Sequence, residues 1–400
     1  MTPLDPATLY RSPNALAPLY SRFRVAERLL LTGHSHQAWP DRAAAGQLAA
    51  FDDAALLVDE KWERAFARAH QVRSGFAHLL GDAAASIALG TSTHDLLVRF
   101  LSALPLRQRP RLVTTDAEFH SARRQLDRLA EEGIELVRVA AAPADTVGER
   151  LAAAVDDRTA AVVTSTVFFT DAGIAGALPA AAAACDRHGA ELLLDAYHHL
   201  NVVPFSLRGL DGAFVVGGGY KYCQLGEGNA FLRVPPGCRL RPTVTGWFAE
   251  FERLEAAASA NAGVAYPRDS AARFAGATYD PTSHYRAAEV FAFFLQQGLT
   301  AELLREVSQH QLAVLCGAFD ELDLPTALVT RDRQTPLAGF GGFLALHSPR
   351  AGGLCAALRA EGVLADARGE VLRLGPAPYL SDAQLGEAMS LLGVAARRLL

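Results

Sequence analysis

The sequence predicts an α/β protein: a large domain on a mostly parallel mixed sheet flanked by helices, then a smaller α+β C-terminal domain. Three observations carry this. Strand-length apolar runs alternate with helical segments from about 86 to 235, the pattern of a buried parallel sheet with helices on both faces. The chain has 400 residues, half of them hydrophobic, a length that suggests two or three structural units. After an irregular, Pro- and Gly-bearing stretch at 236–285, helices and strands resume in a different order. The expected division is an N-terminal segment over 1–50, a large domain over 51–285 and a small domain over 286–400.

Taken in order, residues 1–40 look irregular and end in the turn-rich segment 31–40. Residues 41–80 carry apolar positions at three- and four-residue spacing and read as two helices. A short strand at 87–90 leads into a helix that opens on Thr91, Ser92 and Thr93, hydroxyl residues suited to an N-cap. Strands follow at 111–116, 134–140 and 159–168, separated by helices at 120–133 and 146–155. A helix at 178–189 stops at Gly189, and strands at 191–195, 213–218 and 229–234 complete the sheet. In the last part, helices at 286–298 and 300–322 precede a strand at 341–348, a helix at 351–362, a strand at 371–376 and a final helix at 381–400.

Composition narrows the partners. The net charge of −5 argues against a general affinity for nucleic acid or anionic membrane. No apolar run is long enough to cross a bilayer. The opening residues show no basic stretch followed by an apolar one, so a cytoplasmic location is expected. Cys185, Cys223, Cys238, Cys316 and Cys355 are scattered and form no CxxC pair, which indicates neither zinc nor a disulfide framework.

Chemistry concentrates between 192 and 231. One apolar run ends in Asp195; 26 residues further, past a second run and its glycines, stand Tyr220 and Lys221. In open α/β sheets, ligands sit beyond the carboxyl ends of the strands. Asp195, Lys221 and the Thr91–Thr93 loop therefore fall on one edge. A helix N-terminus with hydroxyls cradles phosphate, a lysine amine condenses with an aldehyde, and a carboxylate pairs with a protonated pyridine nitrogen. These are the three ends of pyridoxal 5'-phosphate (PLP).

The segments Asp195-Ala196-Tyr197-His198-His199 and Gly219-Tyr220-Lys221-Tyr222 resemble the kynureninase-like branch of the class V, fold-type I PLP-dependent family. Gly246-Trp247-Phe248, the stretch from Arg273 to Pro281, and the stretch from Gly362 to Tyr379 resemble further family segments, so the likeness covers nearly the whole chain. The resemblance implies that Lys221 holds the cofactor and moves the substrate α-proton, with Asp195 on the pyridine nitrogen. It puts His198 near the ring or phosphate. Tyr220 would bond the phosphate and help proton transfer, while Thr91, Ser92 and Thr93 cradle it. Trp247 and Thr278 would reach the phosphate from a neighbouring subunit, which implies a homodimer with shared sites. Arg373 would clamp the substrate α-carboxylate, and Asp366 and Arg368 read as a structural pair. Where class V enzymes place the group that stacks on the ring, this chain reads Glu118-Phe119-His120, closer to the E-H-H of cysteine desulfurases than to the F-P-S-D of kynureninases. Phe119 is the preferred stacker and His120 the alternative.

The activity this resemblance implies is hydrolysis of the Cβ–Cγ bond of L-kynurenine or a related β-acyl-alanine, giving L-alanine and an aromatic acid. The alternative is another class V reaction on a different amino acid: a C–S lyase, an epimerase or an aminotransferase. A desulfurase needs a nucleophilic cysteine on a loop over the site, whereas Cys355 falls in a helical segment and Cys223 directly behind the Lys221-Tyr222 pair.

Overall fold

The computed structural model describes residues 4–82, 86–253, 263–267 and 271–399. Two helices, α1 (Arg42–Leu57) and α2 (Lys61–Leu79), come first. The alternating region then runs β1 (Ser86–Gly90), α3 (Thr93–Ala103), β2 (Arg111–Thr115), α4 (His120–Glu131), β3 (Glu135–Val139), α5 (Val147–Ala154) and β4 (Thr159–Ser165). It continues with α6 (Leu178–His188), β5 (Glu191–Asp195), β6 (Phe214–Gly218) and β7 (Ala230–Val234). These seven strands form one sheet in the order β1-β7-β6-β5-β4-β2-β3. Only β7 runs against its neighbours; the pairs from β6 through β3 are parallel.

The sheet is buried on both faces because its strands are apolar at successive positions. Leu192 and Leu194 of β5 join one core cluster and Leu193 the other. All of β4 is buried. Each fully buried leucine contributes about 1.5–3 kcal/mol, so a central strand of this kind fixes its register strongly. Helix α6 ends where the sequence predicts: Gly189 takes φ +63°, a left-handed conformation that glycine adopts freely, and its N–H bonds the Asp186 carbonyl.

The C-terminal part contains α7 (Thr282–Gln297), α8 (Ala301–Glu321), β8 (Thr330–Arg331), β9 (Leu344–His347), α9 (Ala351–Ala360), β10 (Asp366–Arg368), β11 (Val371–Leu374) and α10 (Asp382–Arg397). Its strands pair antiparallel in the order β10-β11-β9-β8. Helix α10 opens on a capping box between Ser381 and Gln384. The short strands β8 and β10 escape a reading by periodicity, because two or three residues hold no pattern.

Residues 1–40 are more ordered than expected. Leu29–Leu30 pairs in parallel with Val363–Leu364. The loop that follows spans two sites: the Gly33 N–H bonds the Gly375 carbonyl, and Gln37 accepts from Gln224 Nε2 at 2.8 Å. Of the stretch expected to be irregular, 254–262 and 268–270 lie outside the described residues, as does the last position of the final helix. The described remainder of that stretch holds only 3-10 turns, at Trp247–Arg253 and Ala272–Phe274, before α7 begins. Among the described residues, no helix is long and apolar enough to cross a membrane.

Candidate active site

One edge of the large sheet gathers the carboxyl ends of β1, β2, β4, β5 and β6 and the start of antiparallel β7. A cavity of about 250 Å3 opens there, lined among others by Thr91, Ser92, Thr93, Phe119, Ser165, Asp195, Tyr197, His198, Tyr220, Lys221 and Asn229. Residues far apart in sequence meet because each follows the end of its own strand.

Lys221 is 5% exposed. Burial pulls its amine down to about 7, while the Asp195 carboxylate pulls the other way. Nζ donates a hydrogen bond to Nε2 of His198. His198 is itself buried, and burial together with the lysine charge holds its ring well below the usual histidine range. Asp195 accepts the Tyr197 backbone N–H at 2.9 Å, and burial raises its carboxyl.

The Thr91–Thr93 loop behaves as its composition predicts. Ser92 caps α3 by accepting the Asp95 N–H at 3.1 Å. Thr93 Oγ1 is buried and has no hydrogen-bond partner, and neither has Asn229 Oδ1 across the cavity nor Nδ1 of His198. Buried polar atoms without partners are costly, and three of them around one cavity fit a polar ligand.

Of the two candidate stacking residues, Phe119 lines the cavity, with its ring centroid 5.2 Å from Lys221 Nζ. His120 is exposed and does not line it. Glu118, beside them, is buried and accepts from Thr115 Oγ1 at 2.6 Å, Ser165 Oγ at 2.7 Å and the Ser165 N–H at 3.1 Å. Burial pushes its carboxyl up to about 7.

Three expected residues lie elsewhere. Trp247 is 43% exposed and packs on Phe248 and Phe251. Thr278 lines a separate groove of about 1530 Å3, which shares Thr91, Glu227 and Gly228 with the Lys221 cavity. Within one chain, then, neither joins Lys221. Arg373 is buried 3% exposed outside the cavity lining, and its fork is not free. Nε and Nη2 donate to Asp366 at 2.8 and 2.6 Å, and Nη1 donates to the Phe169 carbonyl at 2.8 Å. Asp366 also bonds Nε2 of His34 at 2.9 Å, and these partners hold its carboxyl well below the usual range. Asp366 is therefore the partner of Arg373 first, with Arg368 farther off at 3.5 Å.

Sequence reasoning missed Tyr197, Asn229, Ser165, Phe169 and His34. Tyr197 sits inside the motif that names Asp195 and His198, at a position read as a spacer. Asn229 carried a signal only in retrospect, as the polar residue that opens an antiparallel strand.

The sequence matches no family model and no curated protein. Solved structures do resemble it. A glycine-bound mutant of C-DES with its PLP cofactor covers 94% of this chain and 98% of its own at 15% identity, with a TM-score of 0.80. The fold is that of the fold-type I PLP-dependent enzymes. The cystine C–S lyase C-DES with its product cysteine persulfide gives a TM-score of 0.79 at 15% identity over 92% of this chain and 98% of that one. The cysteine desulfurase CsdA from Escherichia coli gives 0.75 at 15% identity over 99% of both chains. These fold-type I neighbours are desulfurases and a C–S lyase, so they lend no support to the kynureninase branch that the motifs suggested.

Proposed function

We propose that the chain is a PLP-dependent enzyme of the class V type that cleaves a bond at the β-carbon of an α-amino acid, with carbon–sulfur lyase as its first reading. One observation carries the cofactor: a buried lysine amine and a half-buried carboxylate share a cavity with an aromatic ring and unpartnered polar atoms. When bound, PLP supplies an aldehyde and an electron-accepting ring. Lys221 is the group that holds the aldehyde carbon and then takes the proton from the substrate Cα. Its depressed amine suits it to both tasks near neutral pH. Asp195 keeps a pyridine nitrogen protonated. Thr93, Asn229 and the first turn of α3 hold the phosphate. His198, held neutral, accepts the lysine N–H at Nε2 and orients the amine. Arg373 already donates from Nε, Nη1 and Nη2, so it would serve a substrate carboxylate only through the second N–H on Nη1 or Nη2.

In the lyase reading the substrate loses its α-proton to Lys221 and its Cβ–S bond breaks. The sulfur leaves with the bonding pair and is protonated, to a thiol from a thioether substrate or to a persulfide from L-cystine. Water then converts the remainder to pyruvate and ammonia. A desulfurase route through a protein thiol is disfavoured. All five cysteines are described and none lines the cavity. Burial pushes the Cys223 thiol up to about 12, and Cys355, within α9, donates from Sγ to the Ala365 carbonyl at 3.5 Å.

The second reading is hydrolysis of L-kynurenine or a related β-acyl-alanine, favoured by the Tyr220-Lys221-Tyr222 motif and by the cavity's Phe119, Phe169 and Tyr197. The test is turnover by PLP-loaded protein on L-cystine and L-kynurenine. Pyruvate and a sulfur product that vanish in Lys221→Ala support the lyase; L-alanine with anthranilate supports the hydrolase. Protein in which Lys221→Ala still forms a borohydride-reducible link to PLP sinks the assignment of Lys221.

A further inference from the structure

We propose that Tyr197 is a cofactor-binding residue that closes the second face of the site, opposite Phe119. The inference rests on the PLP reading above and adds to it a residue of this chain. Its ring lines the same cavity as Phe119. Lys221 Nζ lies 4.8 Å from the Tyr197 centroid and 5.2 Å from that of Phe119. Whatever the amine carries therefore enters beside two aromatic rings. An aromatic face on each side suits a flat heteroaromatic ring, since offset stacking adds to the area buried.

The ring is held in place. Gly218 closes β6, and a Cβ there would stand 2.5 Å from Cε2 and the hydroxyl oxygen of Tyr197. Only glycine leaves room for the tyrosine. On its other flank lies Tyr220, with ring centroids 4.9 Å apart. Tyr220 in turn stacks on His36 at 4.6 Å with planes 14° apart. The backbone is fixed as well, because the Tyr197 N–H donates to Asp195. One residue thus orients the pyridine-pairing carboxylate through its backbone and covers the ring through its side chain. Burial keeps the phenol well above its usual range, so this wall is neutral at working pH.

The experiment titrates PLP into the full-length protein and reads the dissociation constant by the visible absorbance and induced circular dichroism of the bound cofactor. Tyr197→Ala and Tyr197→Leu, the second keeping bulk but no π face, should each weaken binding by about tenfold. Tyr197→Phe should stay within about threefold of the parent. Gly218→Ala, which drives a methyl into the tyrosine, should also weaken binding. Combined with Tyr197→Ala, it should add nothing, since the clash is gone. Unchanged affinity and band position in both Tyr197→Ala and Tyr197→Leu overturn this inference alone. A parent protein that binds no PLP overturns the cofactor reading and this inference with it. Melting temperatures of the apo proteins separate a folding defect from lost binding, and a Tyr197→Leu variant that folds yet binds like the parent is sufficient refutation.

Discussion

Burial lowers the amine of Lys221, and Asp195, the first of the carboxylates that oppose this, is itself raised by burial. An amine held at about 7 is already a nucleophile at neutral pH. The rate of PLP uptake should therefore rise through about pH 7 and level off, whereas an ordinary lysine would keep gaining to about pH 10. Stopped-flow absorbance from acid to alkaline pH reads this, and a rate still climbing well above pH 9 would contradict it. Glu118 gives a second test with the opposite sign. Burial raises its folded value from 4.5 to about 7, so the folded state holds a proton the unfolded chain has released between those limits. Its stabilising contribution is complete below about 4.5 and is lost as pH rises through about 7. The span corresponds to roughly 3 kcal/mol. Glutamine reproduces the protonated acid, accepting from Thr115 and the Ser165 N–H while donating to Ser165 Oγ. Melting curves of apo Glu118→Gln should thus lack the parent's loss of stability between about pH 4.5 and 7; parallel curves would remove Glu118 as the cause. Lys221 and Asp195 were legible in the sequence because Asp195 ends one apolar strand and Lys221 follows closely on the end of another. The importance of Glu118 was not, since it depends on Ser165, 47 residues away.

Elements supply what single residues cannot: direction. The first turn of α3 borders the cavity because β1 ends at Gly90 and Ser92 caps the helix. The cap was readable from Thr91-Ser92-Thr93. The opposing Asn229 was not, because an antiparallel β7 inserted between β1 and β6 is a matter of topology, which a pattern of apolar residues leaves open. The same holds for β10, whose three residues bring Asp366 onto Arg373 and so engage the fork expected to be free. Thr93 Oγ1 offers the test at this scale. Left without a partner in the apo protein, it costs on the order of 1–3 kcal/mol. Thr93→Val should raise the apo melting temperature or leave it unchanged, yet weaken PLP more than it weakens pyridoxal without its phosphate. Equal weakening of both would mean that the hydroxyl does not serve the phosphate.

The whole molecule leaves a surface that one chain does not cover. On α1, Leu48, Phe51 and Leu56 are 64%, 72% and 73% exposed. Beside α2, Trp62 and Phe66 meet Phe248 and Phe251 at 6.4 and 5.7 Å, and Trp247 adds its own face at 43% exposure. Large apolar side chains exposed in this number mark an interaction surface when they cluster. It borders the groove that holds Thr278, and that groove adjoins the Lys221 cavity through Thr91, Glu227 and Gly228. The proposed homodimer explains both features at once: the apolar ridge would bind the second chain, and Trp247 and Thr278 would serve the partner's cavity rather than their own. Light scattering should therefore give twice the chain mass. Leu48→Asp combined with Phe51→Asp puts charge on the ridge at residues that line neither the cavity nor the groove, so it should yield folded monomers that bind PLP at least tenfold more weakly. Monomers that keep full affinity would make each site complete within one chain and would strip Trp247 and Thr278 of their cofactor roles.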